Sequence, residues 1–202
     1  FQARGTTRNP GSPLRRQLEA DAAVICMLDD DLRITYCNPS WDRFARENGG
    51  QGVEGDRLIG FPYMAAIPFP LKQFFEEGFA RALQKREVFE HCYECSSGTA
   101  FRVFQMSVYP NPEGSGLVVV NSLAVERPHD ERGRPSQLPD SAVYVDTHNR
   151  ITMCCHCRRT CRAGQRGVWD WVPTYLHDAP KPVSHGICTP CMTVYYPDYI
   201  EQ

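Results

Sequence analysis

Six of the ten cysteines in this 202-residue chain fall within one stretch: Cys154, Cys155, Cys157, Cys161, Cys188 and Cys191. Two pairs have Cys-x-x-Cys spacing, Cys154-Cys155-His156-Cys157 and Cys188-Thr189-Pro190-Cys191, with 30 residues between them. Two thiolates three positions apart across a tight turn can grip one ion. Two such turns complete the tetrahedron that a structural zinc takes. Cys154, Cys157, Cys188 and Cys191 are therefore the expected metal ligands, and zinc the expected cofactor. Disulfide scaffolds scatter cysteines along secreted chains, whereas paired spacing without a secretion signal favours metal. The competing reading is a set of free cysteines packed as small hydrophobes, and two spaced pairs make it the weaker one. Cys155, His156 and Cys161 lie near the first pair and His185 near the second, so each could replace a named ligand. The Cys154-to-Cys157 register is preferred because it matches the second pair.

A third Cys-x-x-Cys, Cys92 to Cys95, lies in a stretch of strand character. Side chains three apart on a strand point to opposite faces, so these two read as ordinary strand residues. No His-Glu-x-x-His or His-x-Glu arrangement accompanies the cysteines, and no P-loop or kinase nucleotide motif is found, which argues against an enzyme. Arg150, Arg158, Arg159, Arg162 and Arg166 form a basic run with no acidic residue between Asp146 and Asp170. This run supports two alternatives: a thiol-based redox sensor or oxidoreductase with activated cysteines, and a nucleic-acid-binding regulator. A solvated face is preferred, because the tail from Ala142 carries six basic and five acidic residues.

The elements that must hold these cysteines divide into two groups. In the first, Val24–Leu28 and residues 33–37 read as two strands of a hairpin around the Asp29-Asp30-Asp31 turn. Asn38 then caps a helix with Pro39 at its first position and Trp41, Phe44 and Ala45 at helical spacing, ending at Asn48-Gly49-Gly50. Residues 71–85 form the clearest helix, with Leu71, Phe74, Phe75, Phe79, Ala82 and Leu83 on one face. Strands follow at residues 88–95, 99–109 and 116–125, divided by turn residues. This order gives an α+β fold: a five-stranded antiparallel sheet with helices on one face. Residues 1–19 read as a flexible lead-in with the start of a short helix at Pro13, residues 20–127 as the sheet domain, and 128–141, with its prolines, as a linker. Residues 142–202 form the cysteine-rich module, of zinc-ribbon or knuckle type. About 60 residues bury little, so a bound metal would supply much of the folding energy there. The sheet domain, with its own aromatic core, is expected to survive removal of residues 142–202.

The composition is that of an ordinary globular chain, 42% hydrophobic and 23% charged, and the net charge of −2 gives no general pull toward nucleic acid or membrane. No apolar run approaches a membrane span, and no apolar signal-peptide core follows the polar start, so a cytoplasmic location is expected.

Leu32-Arg33-Ile34-Thr35-Tyr36-Cys37-Asn38-Pro39-Ser40-Trp41 resembles the second strand of a PAS domain running into its first core helix, and Leu58-Ile59-Gly60 resembles the short turn that follows. With the order of elements, the resemblance covers residues 20–127. It implies a sensory or interaction domain with room for a small ligand between sheet and helices. No flavin-type Gly-x-Asn-Cys-Arg motif is present, and His91 lies on a strand rather than a haem-binding helix. The preferred expectation is therefore no bound ligand, the interior being filled by Phe74, Phe79, Phe104 and Met106. The tail resembles a cysteine-rich segment at the end of bacterial PAS-containing signalling proteins. The residues that carry this are Cys154–Cys157 with Arg158-Arg159, the stretch 169–176, and Ser184-His185-Gly186-Ile187-Cys188-Thr189-Pro190-Cys191. The combined expectation is a non-enzymatic bacterial signalling protein acting through a protein partner or homodimer, with nucleic acid the weaker choice of partner.

Overall fold

A computed structural model describes residues 13–48, 50, 52–129, 135–176, 178–180 and 182–200. The expected lead-in at residues 1–12 lies outside the described residues, as do Gly49 at the expected helix end and residues 130–134 of the expected linker.

Helix α1 (Pro13–Ala20) precedes the hairpin β1 (Val24–Leu28) and β2 (Ile34–Cys37). Helix α2 (Pro39–Glu47), the short α3 (Gly55–Leu58), a 3-10 turn over Tyr63–Ala66 and the long α4 (Phe69–Lys85) come next. Strands β3 (Phe89–Glu94), β4 (Ala100–Pro110) and β5 (Leu117–Pro128) complete one antiparallel sheet, in the order β2-β1-β5-β4-β3. The expected strands and both main helices are present within a residue or two at most ends. The segment from Gly55 to Ala66 contains two single turns of helix. They are too short for an apolar period to mark them.

One face of the sheet packs on the helices. Leu71, Phe75, Phe79 and Ala82 of α4 meet Cys26, Leu28, Met106, Val108, Leu117 and Val119. The opposite face is covered near β1 by α1, where Leu18 joins Ile25, Tyr36 and Val118. A bulge in the β1–β2 pairing, with Met27 opposite Tyr36 but Leu28 opposite Ile34, lets Tyr36 and Ile34 face opposite sides.

Asn38 ties three of these elements together. It is completely buried. Its Oδ1 accepts from Trp41 N (3.0 Å) as the cap of α2 and from Ile25 N (3.1 Å) in β1. Its Nδ2 donates to Leu18 O (3.1 Å) and Ala23 O (2.9 Å) at the end of α1. The cap visible in the sequence is thus also a bridge between helix, strand and lead-in, and its removal would leave several buried backbone groups without partners.

The second group contains α5 (Ser141–Tyr144), β6 (Ile151–Cys154), β7 (Thr160–Cys161), β8 (Trp169–Asp170), a 3-10 turn over Pro173–Leu176, β9 (Val183–Gly186), α6 (Thr189–Tyr195) and α7 (Pro197–Ile200). Its four strands form a second sheet in the order β8-β7-β6-β9, in which β6 and β9 run parallel. A small apolar cluster of Tyr144, Ile151, Met153, Val172 and Tyr175 lies beside it. Within the expected linker, Gln137 N donates to Trp171 O (2.8 Å), and the ring of His129 packs 4.9 Å from that of Trp171.

The two groups share a core. Tyr196, just past α6, is 1% exposed and belongs to the cluster between the sheet and α4. Its ring lies 5.1 Å from Phe74 and 4.7 Å from His91, and its hydroxyl is 2.8 Å from His156 Nε2. Met192, Tyr195, Ile187 and Cys155 pack against the same cluster. Removing residues 142–202 would therefore strip the Tyr196 ring from Phe74, Phe75 and His91.

Two outcomes are expected in urea unfolding. Asn38→Ala should lower stability by about 2 kcal/mol or more without moving the secondary structure, because one deletion orphans several buried groups. A chain ending at residue 141 should unfold at clearly lower urea than the full chain, and Tyr196→Ala in the full chain should reproduce about 3 kcal/mol of that loss. An unchanged midpoint for the truncated chain would show that the sheet domain does not depend on Tyr196.

Candidate metal centre

Strands β6 and β9 carry the two cysteine pairs to one place. They pair in register from Ile151 with Val183 to Cys154 with Gly186, and Cys155 N extends the ladder to Gly186 O (2.8 Å). The first pair therefore begins at the end of β6, and the second begins two residues beyond the end of β9.

Each pair then turns. After Cys154 the chain folds back so that Arg158 N reaches Cys154 O (3.2 Å) and Cys154 N reaches Arg159 O (2.8 Å). Arg158 takes a left-handed conformation (φ 64°) to close this knuckle. After Cys188, which stands at the cap position, α6 starts with Thr189 and Pro190. Proline suits a first helical turn because its missing N–H has no helical partner there. Cys191 lies within that turn, so the second pair spans the start of the helix.

The ligand atoms of Cys154, Cys157, Cys188 and Cys191 all lie within 4.8 Å of one another, with Cys157 Sγ and Cys188 Sγ 3.5 Å apart. A tetrahedral zinc with bonds of about 2.3 Å to sulfur has sulfur–sulfur edges of about 3.8 Å. All four residues are buried. Cys188 N donates to Cys154 Sγ (3.4 Å) and Arg159 Nη1 to Cys157 Sγ (3.6 Å), contacts that offset charge on thiolates. Trp169, Ile187 and Tyr195 pack around the sulfurs. From the first sheet, Glu94 Oε2 lies 4.0 Å from Cys191 Sγ.

The sequence left four substitutes open, and the structure places each elsewhere. Cys155 turns toward the core shared with the first sheet, and His156 meets Tyr196. The thiol of Cys161 contacts Arg162 O (3.6 Å), and His185 is exposed. Cys92 is exposed with its thiol on Gln105, while Cys95 is partly buried. Among the described residues, the four named cysteines are the one group of three or more His, Cys, Asp or Glu side chains placed to hold a metal ion.

Besides Arg159, which reaches Cys157 Sγ, three further arginines of the basic run make polar contacts within the molecule. Arg150 pairs with Asp146 (3.1 Å), and Arg162 with Asp170 (2.6 Å), holding that carboxyl below its usual range. Arg158 Nε donates to Ser96 O (3.1 Å) in the first sheet unit, and Ser96 N donates to His156 O (3.2 Å). Sequence reading missed this docking, for which the only sequence trace is the pair of arginines after the first knuckle. No helix of the described residues is long and apolar enough to cross a membrane.

Comparison with known proteins separates the two groups. Residues 18–125 match the family model of the PAS fold, and the match stops short of the cysteine module. No curated protein matches the chain. Among solved structures, the PAS domain of an HTR-like protein from Haloarcula marismortui is 21% identical, with a TM-score of 0.36 over 55% of this chain and 93% of that one. A PAS domain from Colwellia psychrerythraea is 12% identical, with a TM-score of 0.39 over 55% of this chain and 92% of that one. Vibrio cholerae VqmA, solved in a complex with ligand and DNA, is 10% identical, with a TM-score of 0.41 over 56% of this chain and 52% of that one. The family model takes in more than half of the sequence, and residues 18–125 hold the five-stranded sheet with its helices: the chain belongs to the PAS fold family.

Proposed function

We propose that this is a non-enzymatic signalling protein in which a PAS sensor domain, residues 20–127, is coupled to a zinc-held interaction module, residues 142–202. Cys154, Cys157, Cys188 and Cys191 bind one structural zinc, and output passes to a protein partner or through a homodimer. The observation that carries this reading is the course of α6. The helix begins at a metal knuckle, Cys188, and delivers Tyr196 into the core of the PAS unit. Metal occupancy and the packing of the sensor core are thereby linked through one short helix. Four thiolate ligands leave no open coordination position, which suits a structural rather than a catalytic ion.

The redox alternative uses the same thiols, and its test is their reactivity. Zinc-held thiolates should react slowly with an alkylating probe in the native protein and quickly after chelation; fast modification of four thiols without a chelator would favour the redox reading. The nucleic-acid alternative is weakened by the internal contacts of Arg150, Arg158 and Arg162.

Metal content per chain tests the ligand set. Cys188→Ser should lose zinc and make residues 142–202 sensitive to protease, since a hard hydroxyl replaces a soft thiolate poorly. Cys92→Ser, Cys155→Ser, Cys161→Ser and His185→Ala should each retain about one zinc per chain. Full zinc content with a protease-resistant tail in the Cys188 variant would remove that residue from the site.

A further inference from the structure

Cys26 and Cys37 belong to neither cysteine pair of the module and face each other within the PAS unit. They are direct partners across β1 and β2. Beside them Asn38 N donates to Ile25 O (3.0 Å), which makes Ile25 and Asn38 a hydrogen-bonded pair of the ladder and Cys26 and Cys37 a non-hydrogen-bonded one. In such a pair the Cα atoms are about 4.5 Å apart and the side chains lie closest. Disulfides span Cα separations of about 4.4–6.8 Å, so this position can be bridged without moving either strand. Asn38 also holds the alignment, since its Oδ1 accepts from Ile25 N (3.1 Å). The bulge of this hairpin begins beyond Met27 and leaves the two cysteines in register.

Both side chains turn to the helix side of the sheet. Cys26 is completely buried in the cluster with Leu28, Leu117 and Val119, and Cys37 packs against that cluster, whereas Ile25 and Tyr36 face the other way. Both are free thiols, and Cys37 is the more accessible, being only partly buried. Gly55 of α3 lies over Cys37: a side chain there would bring a Cβ to 2.5 Å from Cys37 Cβ and 3.4 Å from its Sγ. Burial pushes the Cys37 thiol up to about 12, with Asp42 and Asp56 adding to the shift, and burial pushes Cys26 up as well. Packing alone would be served by any small apolar side chain at either position. A bond needs sulfur at both, directly opposite and on one face, and the hairpin supplies that arrangement.

We infer that Cys26 and Cys37 are a redox-sensitive pair of the PAS unit, closed into a disulfide across β1 and β2 by a hydroperoxide. With hydrogen peroxide, the Cys37 sulfur attacks one oxygen, the O–O bond breaks, and the other oxygen leaves as water with the thiol proton, giving a sulfenic acid on Cys37. The Cys26 sulfur then attacks the Cys37 sulfur, the S–O bond breaks, and a second water carries away the Cys26 proton. Two thiols lose two protons and two electrons, and one peroxide becomes two waters. Thiols held neutral react slowly with oxidants, so the pair is spared by a brief exposure and closed by a sustained one. None of the four metal cysteines takes part, so the inference stands apart from the metal reading.

The test holds the full-length, zinc-loaded protein in hydrogen peroxide until the solvent-exposed Cys92 is fully oxidised, with zinc measured throughout. The protein is then alkylated and digested with trypsin without reduction. Cleavage after Arg16, Arg33 and Arg43 places Cys26 and Cys37 on separate peptides with one cysteine each. The two peptides should be recovered joined, at their summed mass less two hydrogens, and should separate on reduction. Cys26→Ser should stop at the sulfenic acid, which dimedone traps on Cys37. Cys37→Ser should leave the buried Cys26 unmodified, which keeps the order of events testable if the other variant folds poorly. Absence of the joined peptides, their formation only in urea, or joining of Cys37 chiefly to another cysteine would overturn the inference. Loss of zinc without joined peptides would place the response at the metal thiols and overturn it too. A joined pair in a protein that holds no zinc would keep the pair and reject the metal reading.

Discussion

The parallel pairing of β6 with β9 is the constraint on which the C-terminal third depends. Parallel strands cannot be joined by a tight turn, so the chain must leave at Cys154 and return at Val183 through a crossover. That crossover has little regular structure: two two-residue strands and one 3-10 turn. Pairings this short do not hold a crossover closed by themselves. What closes it is the convergence of four sulfurs at the ends of β6 and β9, together with the Ile151, Met153, Val172 and Tyr175 cluster on the other side. The sulfur positions therefore fix the register of the sheet as much as the sheet fixes the sulfurs.

The same convergence sets the relation between the two units. Because Cys188 and Cys191 lie in the first turn of α6, the direction of that helix follows from the knuckle geometry. Only four residues separate Cys191 from Tyr196, so the tyrosine reaches the aromatic group of Phe74, Phe75 and His91 only while the helix holds its angle. His156, inside the first knuckle, meets the same tyrosine hydroxyl. Both knuckles thus bear on one residue of the sensor core. His91 Nε2, buried there without a hydrogen-bond partner, shows that this junction is packed more for shape than for polar satisfaction.

Much of the local structure was legible in the sequence, because local signals suffice for it. The Asn38 cap followed by Pro39 marks α2, the apolar face from Leu71 to Leu83 marks α4, and the Cys-x-x-Cys spacing marks both knuckles. What the sequence could not display are pairings between distant segments. Strand β5 inserts between β1 and β4, so Val24 lies opposite Asn121, and nothing within either strand encodes that neighbour. Tyr196 carries no mark that distinguishes a tyrosine buried in another unit from one beside its own helix. The choice among Cys155, His156, Cys161 and His185 as substitutes was open for the same reason: spacing limits which residues can reach a centre, while side-chain direction decides which do.

The arginines of the tail show how far composition can mislead. As a string, Arg150 to Arg166 reads as one basic patch. In three dimensions the charges are divided among separate tasks: Arg150 closes a turn on Asp146, Arg162 holds Asp170 beside Tyr144, and Arg159 lies against the Cys157 sulfur. Arg158 alone of these four turns to the PAS unit, because the left-handed turn after Cys157 sends consecutive arginines in different directions. Arg158 points back at Ser96, and the next, Arg159, at the cysteine knuckle. A single backbone conformation, imposed by the need to close a knuckle around sulfur, thus converts a repetitive basic sequence into two cations with different surroundings.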